Sequence, residues 1–181
     1  MGGRSTRMGR DKSALVYHDK PQRAHVTELL RPYCRRVYWS VNNEQARTLT
    51  APTQPLVIDA WPDAGPLGGI GSAFRTAPEA AWLVVACDLP LLTAHTLDVL
   101  LAGRTPTAPA TAFTGPDGPE PLVCIWEPRA RPALETALAA GRLSPRRLLL
   151  ELGATWLTPP DPRELLNAND PDTGRALGGL P

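Results

Sequence analysis

Cysteine is scarce in this chain: Cys34, Cys87 and Cys124 are the three it has in 181 residues. Their number is odd and they lie far apart, so neither a disulfide framework nor a zinc-ligand spacing can be drawn among them. Each lies in an apolar stretch and reads as a buried, reduced thiol, which fits a reducing cytoplasm. An excess of either charge is also lacking. Nineteen Lys and Arg face eighteen Asp and Glu, for a net charge of +1. Bulk electrostatics therefore supply no case for nucleic acid or an anionic membrane as partner, and any anion site has to be local. No apolar run nears the ~18 residues a membrane-spanning helix needs, and no signal peptide is read before the first motif. His18, His25 and His95 are scattered. They assemble into no Ser-His-Asp or Cys-His set, so no nucleophile for a covalent intermediate is in view.

What is present suits one compact unit. The length falls in the range of a single domain, expected to span residues 1–181, and a hydrophobic share of 43% is enough for a sizeable core. The 21 prolines gather at segment ends and read as stiffened loops between intact apolar segments. Strand-like and helix-like segments alternate. Helices are expected over 21–33, 68–76, 93–102, 130–140 and 144–151, and strands over 36–41, 56–58, 81–87, 107–113, 122–126 and 154–157. Thr93 is expected to cap its helix. Residues 81–87 form the clearest buried strand by composition. The pattern predicts a three-layer, Rossmann-like α/β fold with a mainly parallel sheet and helices on both faces. Three strands end in a polar residue, Asn42, Asp59 and Asp88, and in open α/β sheets ligands gather at the carboxyl ends of strands. One polar residue at such a turn is also ordinary structure, so it is the joint pattern that points to a site.

The densest chemistry lies in Gly2-Gly3-Arg4-Ser5-Thr6-Arg7-Met8-Gly9-Arg10-Asp11-Lys12. Two glycines let backbone approach a phosphate closely, and Arg4, Arg7, Arg10 and Lys12 bring four cations to the same turn. The competing reading is a solvated basic turn. The pattern is neither a P-loop nor a dinucleotide-binding Gly-x-Gly-x-x-Gly. Asp88 ends the most apolar strand, where a carboxylate needs a partner to offset its desolvation. Magnesium is a natural one, because it takes one or two carboxylates and fills its shell with phosphate oxygens and water. A capping or turn-forming aspartate is the alternative. Cations beside a metal-binding carboxylate are the equipment of nucleotidyl transfer, which is mostly positioning and electrostatics. Lys12, Arg7 and Asp88 are the residues expected to carry it.

These residues resemble a known family. The N-terminal run looks like the signature of sugar-nucleotide-type nucleotidyltransferases, and Asp11 before Lys12 is similar to the molybdenum cofactor guanylyltransferases. Related cytidylyltransferases usually carry another residue there, and an alanine for the first glycine. Gly65-Pro66-Leu67-Gly68-Gly69, Cys87-Asp88-Leu89-Pro90, Glu120-Pro121-Leu122-Val123, the basic segment Gly141 to Leu149, and Asn167-Ala168-Asn169-Asp170-Pro171 extend the resemblance over nearly the whole chain. It implies that Gly2, Gly3, Arg7 and Lys12 hold the phosphates of GTP and that Asp88 holds magnesium. Asp59 and Asn42 would lie on the nucleotide side, with Asn167 and Asn169 on the acceptor side. Arg146 or Arg147 would meet the pterin phosphate; an exposed helix face is their other reading. The implied reaction transfers GMP from GTP to the molybdopterin-bound molybdenum cofactor and releases pyrophosphate, with molybdoenzymes or their chaperones downstream.

The chain departs from the family at two places. The family has a full apolar strand ending in Leu-Ala before the two glycines, where Met1 alone stands here. The expectation is a start codon assigned too late, the alternative a lost core strand. The asparagine-rich segment is also shifted: Ser40 stands where asparagine is common, and Asn42 and Asn43 follow. Three rivals stay open: a molybdopterin cytidylyltransferase, a sugar-phosphate nucleotidyltransferase, and an inactive nucleotide-binding module.

Overall fold

A computed structural model describes residues 20–115 and 118–167. The elements alternate as the sequence predicts. They run α1 (Gln22–Leu30), β1 (Trp39–Val41), α2 (Asn43–Thr48), β2 (Leu56–Ile58), α3 (Gly65–Thr76), β3 (Trp82–Val85), α4 (Ala94–Ala102), β4 (Ala110–Gly115), β5 (Gly118–Trp126), α5 (Arg131–Ala139), α6 (Pro145–Leu152) and β6 (Thr155–Leu157). Among the described residues the strands fall into two sheets, a parallel pair β1-β2 and a four-stranded sheet of order β3-β5-β4-β6. In the larger sheet β5 runs against its two neighbours, while β4 and β6 are parallel. Strands β3, β4 and β6 thus share one direction, as expected of a mainly parallel α/β fold.

The layers follow from period-two alternation. Trp82 and Val84 of β3 pack with Leu67, Ile70 and Phe74 of α3, Leu134 of α5 and Leu149 of α6. Leu83 and Val85 point the other way, to Val26 and Leu30 of α1 and Leu97 and Leu100 of α4. Helices therefore cover both faces, with α3, α5 and α6 on one side and α1 and α4 on the other.

Local chemistry sets the element ends. The Thr93 hydroxyl accepts the Thr96 N–H and caps α4 as expected, and Ser144 caps α6 the same way. Gly153, at φ +67°, closes α6 in the left-handed conformation. Buried Glu127, 3% exposed, receives Arg104 through two hydrogen bonds of 2.6 and 3.0 Å, which ties the end of α4 to the end of β5.

Three expectations need correction. The run 81–87 is not a fully buried strand: each of Trp82 to Val85 is half-buried, because β3 has one strand neighbour, β5, among the described residues. Helix α3 opens at Gly65, inside the stretch read as a turn; Pro66 in its first turn suits a helix start, where no N–H is required. Helix α2 was not anticipated at all. It follows from a capping box in which the Asn42 side chain accepts the Gln45 N–H at 2.8 Å and the Gln45 side chain accepts the Asn42 N–H at 3.1 Å.

Candidate functional site

The strand ends do supply polar groups, in two clusters. The first is at the carboxyl end of β1-β2. The register pairs Val41 with Ile58, and the Asp59 N–H donates to the Val41 carbonyl at 2.8 Å. Asn42 and Asp59 therefore leave the pair side by side. Both have structural tasks. Asn42 caps α2. Asp59 is 8% exposed and accepts the Trp61 N–H at 3.0 Å. Beside it the Ser72 hydroxyl donates to the Gly68 carbonyl at 2.7 Å and accepts the Ala60 N–H at 2.9 Å. This network seats the first turns of α3 against the strand ends. A Cβ on Gly68 would come within 2.9 Å of both Asp59 Oδ1 and the Trp61 carbonyl, so the approach requires glycine. A Cβ on Gly69 would meet Ser40 Oγ at 2.9 Å. The Gly65–Gly69 motif is thus the place where α3 rests directly on β1 and β2.

The second cluster surrounds Asp88, in the turn after β3. Three elements hold that turn. Fully buried Gln22, at the start of α1, donates its Nε2 to the Leu89 carbonyl at 3.2 Å. Five residues past Asp88, the Thr93 N–H and hydroxyl both donate to the Glu164 carboxylate, at 2.8 and 2.9 Å. The chain at Pro162–Leu165 is thereby brought back to this loop, and Asn167 follows it, exposed. The third element is β5. The β3–β5 register pairs Val85 with Val123, and the Ala86 N–H continues it to the Leu122 carbonyl at 2.8 Å. Asp88 lies two residues past Ala86, in the turn that follows β3.

Glu120 opens the Glu120-Pro121-Leu122-Val123 stretch, to which the sequence reading gave no role in the site. It lies between Pro119 and Pro121, at a break in the β4–β5 register where Ala112 pairs with Cys124 but Phe113 pairs with Glu120. Such irregularities re-aim side chains and are frequent beside active sites. The Glu120 carboxylate accepts the Leu122 N–H at 3.0 Å. Burial pushes its carboxyl up from the ordinary value; the Leu122 N–H and the Arg146 charge pull it down, and the Asp88 charge raises it. Both Asp88 and Arg146 are thus electrostatic neighbours of Glu120. The signal in the sequence was a lone carboxylate between two prolines inside a strand-like run.

The structure also separates two arginines that spacing could not. On α6, Arg147 donates to Glu151 at 3.0 Å, and Arg142 takes the other Glu151 oxygen at 2.6 Å. Those three form a surface network, while the Arg146 charge lowers the Glu120 carboxyl. Gly2, Gly3, Arg7, Lys12 and Asn169 lie outside the described residues. Among the described residues, no group of three or more His, Cys, Asp or Glu side chains gathers as a metal site. A carboxylate such as that of Asp88 is a hard oxygen donor of the kind magnesium takes when its shell is completed by phosphate and water. No helix of the described residues is long and apolar enough to cross a membrane.

The family described as MobA-like NTP transferase domain matches residues 1–155. The molybdenum cofactor guanylyltransferase of Pseudomonas fluorescens (strain SBW25) is 39% identical over 185 residues, covering 99% of this chain and 91% of that protein. The molybdenum cofactor biosynthesis bifunctional protein of a Synechocystis species is 28% identical over 94% of this chain, which spans half the length of that larger protein. Among solved structures, molybdopterin-guanine dinucleotide biosynthesis protein A from Archaeoglobus fulgidus superposes with a TM-score of 0.81 over 98% of this chain and 94% of its own, at 23% identity. That likeness establishes the fold.

Proposed function

Since the chain belongs to the MobA-like NTP transferase family, we propose that it is a single-domain molybdenum cofactor guanylyltransferase, working in the cytoplasm with magnesium. A phosphate oxygen of the molybdopterin-bound cofactor attacks the α-phosphorus of GTP. A new P–O bond forms, the bond from the α-phosphorus to the oxygen bridging the β-phosphate breaks, and pyrophosphate leaves with that oxygen.

The observation that carries this reading is the near full-length likeness to guanylyltransferases, joined to a turn after β3 that carries Asp88. Gly2, Gly3, Arg7 and Lys12 hold the triphosphate and neutralise the charge that builds on departing pyrophosphate. Asp88 holds magnesium, which when bound supplies Lewis-acid stabilisation of the phosphate oxygens. Asp59 and Asn42 shape the nucleotide side through the α3 and α2 turns they brace. Asn167 and Asn169 line the acceptor side, and of the two candidate arginines Arg146 meets the pterin phosphate. Molybdoenzymes or their chaperones receive the product.

Calorimetric titration with magnesium present, GTP against CTP, tests the base assignment. GTP is expected to bind more tightly; a preference for CTP would overturn the guanylyl assignment and favour a cytidylyltransferase.

A further inference from the structure

We propose that Glu164 is a positioning residue for this transfer: its carboxylate latches the chain that leads to Asn167 onto Thr93, and so holds the acceptor side of the site against the turn that carries Asp88. The inference rests on the functional reading above and gives a role to a residue that the reading does not use.

Both ends of the latch are built. One oxygen of Glu164, Oε2, accepts the Thr93 N–H at 2.8 Å and the Thr93 hydroxyl at 2.9 Å, which joins residues 71 positions apart. On the Glu164 side, the carboxylate stands on a hydrogen-bonded 3-10 turn, Pro162–Leu165. There Asp161 accepts the Arg163 N–H at 2.9 Å, and the Glu164 and Leu166 N–H groups donate to the Asp161 and Arg163 carbonyls, each at 3.1 Å. The next residue, Leu165, packs against the cluster that contains Leu89 and Leu92. On the other side, the Thr93 hydroxyl also accepts the Thr96 N–H and caps α4, and the amino end of a helix favours a nearby carboxylate.

The placement gives the latch its purpose. Thr93 lies five residues past Asp88, and between them Leu89 and Leu92 are buried. Asn167 lies three residues past Glu164, and three residues of extended chain reach about 10 Å. The latch therefore confines Asn167 to the neighbourhood of that turn. Without it the segment has more freedom, and ordering it costs entropy each time an acceptor binds. Glu164 is half-buried and lies outside the core, so its removal loosens the segment and leaves the fold standing.

The test uses the whole chain with GTP, magnesium and the molybdopterin-bound cofactor. E164A removes both bonds to Thr93, whereas E164Q keeps an oxygen that can accept both. E164A is expected to raise the acceptor KM about tenfold, the loss of roughly one charge-assisted contact, with the KM for GTP and the magnesium dependence unchanged. E164Q is expected to bring the acceptor KM most of the way back. Added to a variant that carries N167A and N169A, E164A should raise it no further. A tie that serves stability alone would lower the melting temperature of E164A and move neither KM, which overturns the inference. An equal rise in both KM values, an E164Q as poor as E164A, or an additive effect in the combined variant also overturns it. If the unaltered chain forms no guanine dinucleotide, the functional reading fails, and the latch is judged by hydrogen exchange. The Thr93 and Leu166 amides are expected to exchange faster in E164A and at the unaltered rate in E164Q; unchanged exchange in E164A contradicts the latch.

Discussion

Phe113 and Glu120 pair across β4 and β5 at the break in their register, and the charge of Asp88, in the turn after β3, raises the Glu120 carboxyl. Two carboxylates at one sheet end are costly unless cations meet them. Arg146 is one such cation within electrostatic reach, and the proposed magnesium is the other.

Asp88→Ala is expected to abolish GMP transfer while thermal melting stays close to that of the unaltered chain, because the residue sits half-exposed in a turn. Pyrophosphate release and circular dichroism measure the two. Magnesium-dependent transfer surviving in the variant would show that the metal lies elsewhere.

Lys12→Ala is expected to weaken triphosphate binding by about 1.5–3 kcal/mol, the scale of a lost charge-assisted hydrogen bond. Calorimetry with GTP reads this directly. An unchanged affinity would remove Lys12 from the site.

Gly68→Ala tests the α3 seat. Alanine gains up to about 1 kcal/mol in helix propensity, but the added Cβ would press on Asp59 Oδ1 and on the Trp61 carbonyl at 2.9 Å. Backbone cannot retreat as a flexible side chain does, so overpacking of about 1–3 kcal/mol wins. Urea unfolding should show a net loss of stability; a gain would mean that the turn yields.

The surface network on α6 carries a pH signature. Glu151 is held below its ordinary 4.5, first by the Arg142 hydrogen bond and also by that of Arg147. A carboxyl lowered in the folded state contributes stability above its unfolded value and loses it as pH falls through the lower folded value. Arg142→Ala should therefore move the Glu151 titration midpoint up towards 4.5, as followed by NMR. An unmoved midpoint would mean that the ion pair is absent in solution.

Much of this molecule was legible in its residues. The alternation of elements, the Thr93 cap and the strand ends at Asp59 and Asp88 were all visible as patterns. Other features depend on neighbours that sequence order does not reveal. The run 81–87 is apolar enough to read as fully buried, yet burial is set by how many strands flank it. Asn42 does stand at the end of β1, but its cap on α2 was not legible, because the Gln45 that completes the capping box lies in a polar stretch without helical periodicity. Arg146 and Arg147 are adjacent and chemically alike, and only the folded helix shows that Arg147 pairs with Glu151. Glu120 itself stands at a break in the β4–β5 register, which only the pairing of the strands reveals.

The most direct test of the central claim supplies the purified chain with magnesium, the molybdopterin-bound cofactor and equal amounts of GTP and CTP, and identifies the dinucleotide product by mass spectrometry. The account predicts the guanine dinucleotide, with one pyrophosphate released per product. A cytosine dinucleotide, or no dinucleotide at all, would contradict it.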